Sequence, residues 1–223
     1  MRKALLVDDH AFLRDALALV MTQEFPFLQL LRAGTLGEAR AALEAHPDVD
    51  LVLLDLALPD GHGLDVLPQL RATTAATLVV MSADDSSATI LAAIQAGAAG
   101  YIPKTLESAR MLEALRVVMA GGVYLPPRLL DAGPGGAPAT TGMAVRAPGD
   151  LGLSPRQGDV LRMLIEGKPN KLIARELEMS ESTVKTHLAA IFRKLDATSR
   201  TQAVVAAARL GLRLAPARSS SLT

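Results

Sequence analysis

Two rhythms of apolar and polar positions alternate through the first half of the chain. Short, nearly continuous apolar runs occur at Ala4 to Val7, Leu28 to Leu31, Leu51 to Leu54, Thr77 to Met81 and Gly100 to Ile102. Between them, apolar residues recur at helical spacing. Phe12, Leu13, Ala16, Leu17 and Val20 mark the first helix, and Leu36 to Ala45 the second. A short third helix spans Leu64 to Leu70, and Pro68 inside it is expected to shorten or bend it. Ala88 to Ala96 form a fourth, stopped by Gly97. Thr105 is expected to cap a fifth that runs to Met119 and ends at Gly121-Gly122. Strands that each precede a helix predict an α/β doubly wound five-stranded parallel sheet, covered on both faces. Right-handed crossovers leave few topologies for it.

Both rhythms stop at residues 131–150, DAGPGGAPATTGMAVRAPGD, where little could build a core. Four helices are predicted beyond it. The first starts at Ser154-Pro155 and ends near Gly167. The second is capped by Asn170 and the third by Ser180, and the fourth starts near Ser199 and ends before Gly211. The expected organisation is a first domain at 1–122, a flexible linker at 123–150, an all-α four-helix domain at 151–213 and a disordered tail at 214–223.

Charge separates the two halves. Residues 1–130 hold 10 Lys and Arg against 15 Asp and Glu, whereas residues 151–223 hold 12 against 6. An acidic front suits a cation or basic partner, and a basic back suits nucleic acid. The chain has no cysteine, which excludes disulfides and thiolate metal sites, and its four histidines are scattered. The apolar run at the N-terminus is too short for a signal peptide, and no stretch of about 18 apolar residues could span a membrane. A cytoplasmic location is expected.

In an open parallel sheet, ligands sit at the carboxyl ends of the strands. Strand one ends in Asp8-Asp9, strand three in Asp55 and strand four in Ser82, and Lys104 follows strand five. One such Asp would ordinarily cap a helix or form a turn, and Asp84 and Asp85 read that way. Three carboxylates aimed at one region repel each other unless a hard cation joins them, and Mg²⁺ suits carboxylates, waters and phosphate oxygens. The same set suits phosphoryl transfer to a carboxylate. Asp55, on the central strand, is the expected nucleophile. Asp9 is the expected metal ligand with Asp8 assisting, while Lys104 and Ser82 would meet phosphoryl oxygens.

Residues 1–120 resemble a receiver domain. The resemblance rests on Val7-Asp8-Asp9-His10, Leu53-Leu54-Asp55-Leu56-Ala57-Leu58-Pro59-Asp60, Met81-Ser82-Ala83 and Gly97-Ala98-Ala99-Gly100-Tyr101-Ile102-Pro103-Lys104. It implies a flavodoxin-like sheet of order 2-1-3-4-5 and phosphorylation of Asp55 by a sensor histidine kinase. It implies Mg²⁺ on Asp9 and Asp55, with Asp8 nearby and the Ala57 carbonyl as a ligand. It also implies that Ser82 and Tyr101 reorient as a switch. Two departures stand out: Pro103 precedes Lys104 where receivers commonly place a Pro after it, and Gly61-His62-Gly63 reads as a loose turn.

In the back half, Val184, Leu188, Ile191 and Leu195 form a stripe expected to pack on Val160, Leu161, Leu164 and Ile165. The other face of that helix offers Ser182, Thr183, Lys185, Thr186, Ala189, Arg193 and Lys194, a surface suited to the major groove. Residues 151–213 resemble the LuxR-type helix-turn-helix domain of the NarL/FixJ family. The matching pieces run from Leu153-Ser154-Pro155-Arg156-Gln157 through Ser180-Glu181-Ser182-Thr183-Val184-Lys185-Thr186-His187 to Ser199-Arg200-Thr201-Gln202-Ala203. The resemblance implies that Lys185 and Thr186 face base edges of double-stranded DNA. Asn170, Lys171, Ser182, Thr183, Arg193 and Lys194 would meet phosphates. Ala189 stands where relatives often carry a polar residue, and Gly158 replaces a charged helix former. In this family the fourth helix commonly pairs two domains, which would put a homodimer on DNA. Ala203, Val204, Ala207 and Ala208 form the flank concerned, and plain core packing is the alternative.

Together these features describe a two-component response regulator and not an enzyme. A dehalogenase-type phosphatase would need a second Asp where Ala57 stands and would leave the basic half unexplained. A regulator controlled by protein partners without phosphorylation would leave the set Asp8, Asp9, Asp55, Ser82 and Lys104 unused.

Overall fold

Leu51–Asp55 is buried at every position and forms the strand at the centre of the first unit of the computed structural model. Residues 2–127, 129, 148–210 and 212 are described. The chain divides into two units, Met1–Pro127 and Arg128–Thr223.

The first unit begins β1 (Arg2–Val7), α1 (Ala11–Glu24), β2 (Leu28–Ala33), α2 (Leu36–Ala45) and β3 (Leu51–Asp55). A two-residue hairpin, β4 (Ala57–Leu58) with β5 (Gly61–His62), leads into α3 (Gly63–Thr73). The unit continues with β6 (Thr77–Ser82), α4 (Ser87–Gln95), β7 (Gly100–Pro103) and α5 (Ser108–Met119). The five long strands pair in parallel in the order β2-β1-β3-β6-β7, which is 2-1-3-4-5 counted along the chain. Helices cover both faces, so the inner strands carry apolar residues on each side. Leu6, Leu53, Val79, Met81 and Ile102 meet Leu17, Met21, Ala114 and Leu115 of the flanking helices in one core.

Several local expectations change. Thr105 does not cap the last helix; α5 starts after Glu107, whose side chain makes no capping bond. Pro68 does not shorten α3, which runs on to Thr73. Pro68 lies in the middle of the helix and removes one amide bond, while the packed residues Val66, Leu67 and Leu70 hold the helix. The loose turn at Gly61-His62-Gly63 is instead a hairpin tied to its surroundings: Asp60 Oδ1 accepts from the amide of Leu36 and Oδ2 from that of Gly37, both at 2.8 Å. These donors hold the Asp60 carboxyl below the ordinary 3.8. Gly97 ends α4 with φ of 106°, which favours glycine.

Part of the expected linker belongs to the first unit. Val123 and Leu125 are buried, and the Tyr124 carbonyl accepts from the Tyr101 amide at 2.9 Å along the edge strand β7. Beyond Pro127 that segment, apart from Leu129 and residues 148–150, lies outside the described residues, as does the expected tail at 214–223.

The second unit holds α6 (Pro155–Ile165), α7 (Asn170–Glu176), α8 (Glu181–Lys194) and α9 (Arg200–Arg209). Ser154 caps α6 reciprocally with Gln157, and Ser180 and Ser199 cap α8 and α9. Asn170 is not a cap; Pro169 holds that position and Asn170 is the first helical residue. Val184, Leu188, Ile191 and Leu195 are buried with Val160, Leu161, Met163 and Leu164, while Ile165 is only half-buried. Of the flank expected to pair two domains, Ala203, Val204 and Ala207 are buried within this unit's own core and Ala208 is half-buried. Gly158 is buried within α6.

Candidate functional site

The strand ends bring the acidic set together. Val7 pairs with Leu54 and Asp55 with Met81, so Asp8 and Asp55 leave adjacent strands at one level. Ser82 pairs with Pro103, and the amide of Lys104 donates to the Ser82 carbonyl at 2.7 Å. That bond sets the position from which the Lys104 side chain reaches back. Its Nζ lies 2.7 Å from Asp8 Oδ2 and 2.7 Å from Asp55 Oδ2. Asp8 and Asp55 are 1% and 2% exposed, so two carboxylates share one ammonium away from water. Asp55 Oδ1 accepts from the Ala57 amide at 3.3 Å, and Asp8 Oδ1 accepts from the His10 amide at 2.9 Å.

Gly63 permits this packing. A Cβ there would stand 2.7 Å from the Asp55 carbonyl and 3.0 Å from Leu56 Cα, and the Gly63 amide donates to the Leu56 carbonyl at 2.8 Å.

Charge in the pocket is unbalanced, since one ammonium faces two buried carboxylates with Asp9 at the rim. Asp8 Oδ2 is ion-paired to Lys104 but sits outside hydrogen-bonding geometry, leaving a buried oxygen without a hydrogen bond. Ligand atoms of Asp8, Asp9, His10 and Asp55 all fall within 4.8 Å of one another. A buried, under-bonded oxygen in an oxygen-rich cluster fits a hard divalent cation. A cavity of about 440 Å³ opens above it, lined by Asp55, Ala57, Ser82 and Lys104, and also by His10 and His62.

Tyr101 is fully buried, and its hydroxyl donates to the Asp84 carbonyl. Burial pushes its pKa above 10.0; a hydrogen bond with Ser82 opposes this, and the charges of Asp84, Asp85 and Asp55 add to it. Ser82 Oγ accepts from the Asp84 amide at 3.2 Å, so Ser82 and Tyr101 hold the same loop from two sides. The Asp84 carboxylate accepts from the Ser86 amide at 2.8 Å and from Thr89 Oγ1 at 2.5 Å, which agrees with its reading as a loop residue.

Sequence reasoning missed the two histidines. His10 Nδ1 lies 2.7 Å from Asp9 Oδ1, a contact that adjacency to Asp9 could have suggested. His62 reaches the cavity only through the β4–β5 hairpin, for which the sequence carries a weak signal.

On the second unit, Ser182, Thr183, Lys185, Thr186, Ala189, Arg193 and Lys194 are all exposed on α8, opposite its buried stripe, and Lys171 is exposed on α7. The exposed Lys194 ammonium also binds the Gly152 carbonyl and Gln157 Oε1 of its own unit. Asn170 is half-buried, and its Oδ1 accepts from Arg200 Nη1 at 2.8 Å. Burial pushes the Arg200 pKa down to about 10.

Residues 4–116 match the response regulator receiver domain family, and residues 151–207 match the bacterial regulatory proteins of the luxR family. The chain is 37% identical over 211 residues to the glycerol metabolism activator of Pseudomonas putida, covering 93% of this chain and 95% of that protein. It is 35% identical over 205 residues to the nitrate/nitrite response regulator protein NarL of Escherichia coli strain K12, covering 90% and 92%. The solved structure of a LuxR family DNA-binding response regulator from Silicibacter pomeroyi is similar at 30% identity with a TM-score of 0.50. That similarity covers 56% of this chain and 98% of that chain.

Proposed function

The chain belongs to the NarL/FixJ-type two-component response regulators, which join a receiver to a LuxR-type DNA-binding domain, and on that premise we propose that Asp55 is its phosphoacceptor. One observation carries this reading: Lys104 bridges Asp8 and Asp55 at adjacent strand ends while a buried Asp8 oxygen lacks a hydrogen bond. In the proposed step an Asp55 carboxylate oxygen forms a P–O bond as the P–N bond of a kinase phosphohistidine breaks, and the imidazole nitrogen keeps the electron pair. Lys104 and the Ser82 hydroxyl stabilise charge on the phosphoryl oxygens. Asp8, Asp9 and Asp55, with the Ala57 carbonyl, would hold Mg²⁺, which supplies neutralisation of the phosphoryl charge.

The acyl phosphate adds about −1.5 to −2 charges at one strand end. Ser82 turns toward it, and Tyr101 leaves the Asp84 carbonyl. That change biases a pre-existing equilibrium toward a form in which the second unit binds DNA. Lys185 and Thr186 read base edges in the major groove, while Asn170, Lys171, Ser182, Thr183 and Arg193 contact phosphates. The protein acts in the cytoplasm as a regulator, not as an enzyme, and binds its operator as a homodimer. Among the described residues no helix is long and apolar enough to cross a membrane.

Incubation with Mg²⁺ and acetyl phosphate, followed by intact mass, tests the assignment. One added phosphoryl group in wild type, and none in a folded Asp55→Ala variant, supports it. No gain in folded wild type overturns it and favours control by a protein partner.

A further inference from the structure

Arg200, like the exposed Lys194, bonds only to neutral oxygens of the second unit, but unlike Lys194 it is half-buried. Arg156, Arg162 and Lys168 pair with Asp159, Glu166 or Glu176. Arg200 has no carboxylate partner among the described residues. Its Nη1 donates to Asn170 Oδ1 at 2.8 Å and its Nη2 to the Lys168 carbonyl, and its Nε is buried without a partner. Both acceptors are neutral oxygens. A largely buried guanidinium with no anion is unfavourable, and such charges are normally paired.

Its place in the fold suggests what completes it. Arg200 begins α9, and its two bonds reach the turn that enters α7, the first helix of the helix-turn-helix pair. Arginine can only donate, so Asn170 must present Oδ1 to it, and its amide nitrogen keeps two donors with no acceptor among the described residues. Asn170 is thereby held in an orientation that can donate to a phosphate oxygen.

Resting on the DNA-binding reading above, we propose that Arg200 is a positioning residue for the DNA-backbone grip: it fixes the Asn170 amide, and the DNA phosphates are its missing counter-charge. Arg200 is half-buried with its Nε covered, unlike Lys171 and Arg193, which are exposed.

The test uses the full chain, phosphorylated with acetyl phosphate, and a labelled 40-bp duplex of mixed sequence. Affinity is measured by anisotropy over a series of KCl concentrations, with thermal melts alongside. Arg200→Met should bind roughly fivefold more weakly at about 0.1 M salt, with a log–log salt slope shallower by about 1. Arg200→Lys, which keeps charge but not the planar fork, should keep the slope and lose affinity. A purely structural role would lower the melting midpoint and leave the slope of the folded fraction unchanged, and that result overturns the proposal. Where Arg200→Met does not fold, wild-type affinity and slope in Arg200→Lys overturn it. If wild type binds no duplex, the DNA-binding reading itself fails; if wild type binds and the variants match it, only the Arg200 proposal does.

Discussion

Lys104 Nζ lies 2.7 Å from Asp55 Oδ2, an ion pair in which the two side chains are 10% and 3% exposed. The same ammonium neutralises Asp8, so removing it strands two buried carboxylates. Lys104→Met should lower the unfolding free energy by about 3 kcal/mol in the absence of divalent cations. Adding Mg²⁺ should restore most of that loss, because a cation then takes the place of the ammonium. Urea melts with and without Mg²⁺ decide it; insensitivity of the variant to Mg²⁺ would contradict the metal assignment. Phosphoryl uptake by the variant should be slow even with Mg²⁺ present.

Gly63→Ala should damage both fold and site. The new methyl meets backbone 2.7 Å away at Asp55, which cannot yield as a side-chain tip could. A loss of about 1–3 kcal/mol is expected from overpacking. Acyl-phosphate formation should fall with it, since Asp55 is the residue displaced. Wild-type stability by denaturant melt would show that this approach is less rigid than it looks.

Alkaline pH should unfold the first unit. Tyr101 and Tyr124 both have pKa values raised above 10.0, chiefly by burial. For such a group the native state holds its proton longer than the unfolded chain does. The stability it contributes is fully present below pH 10 and is lost as pH climbs toward the folded value. Absorbance at 295 nm should therefore show little tyrosinate at pH 10 in native protein, and ionisation should coincide with loss of circular dichroism. Tyr101→Phe should weaken that alkaline dependence. Independent titration of both phenols near pH 10 in folded protein would refute it.

Two α8 substitutions should behave differently on DNA. Lys185→Ala, at a proposed base contact, should cost about 1–3 kcal/mol on the operator and relax selectivity at one position. Arg193→Ala, at a proposed phosphate contact, should weaken operator and unrelated duplexes alike and make the salt slope shallower by about 1. Titrations on both duplexes check this; identical profiles for the two variants would remove the distinction.

Much of this protein was legible before any coordinates. The doubly wound order, the strand-end carboxylates, Ser82 and Lys104 follow from periodicity and resemblance, because both report local pattern and chain order. The buried stripe of α8 was equally plain, since a 3.6-residue period dictates which side chains share a face. Tertiary structure decided what depends on neighbours distant in the chain. It brought His62 to the cavity through a hairpin, and joined Asp60 to the start of α2 across 23 and 24 residues. It turned Lys194 back onto its own unit, buried the Ala203–Val204–Ala207 flank, and left Arg200 facing neutral oxygens. Whether a charged side chain meets water, a carboxylate or a carbonyl is an outcome of packing, and the order of residues along the chain does not carry it.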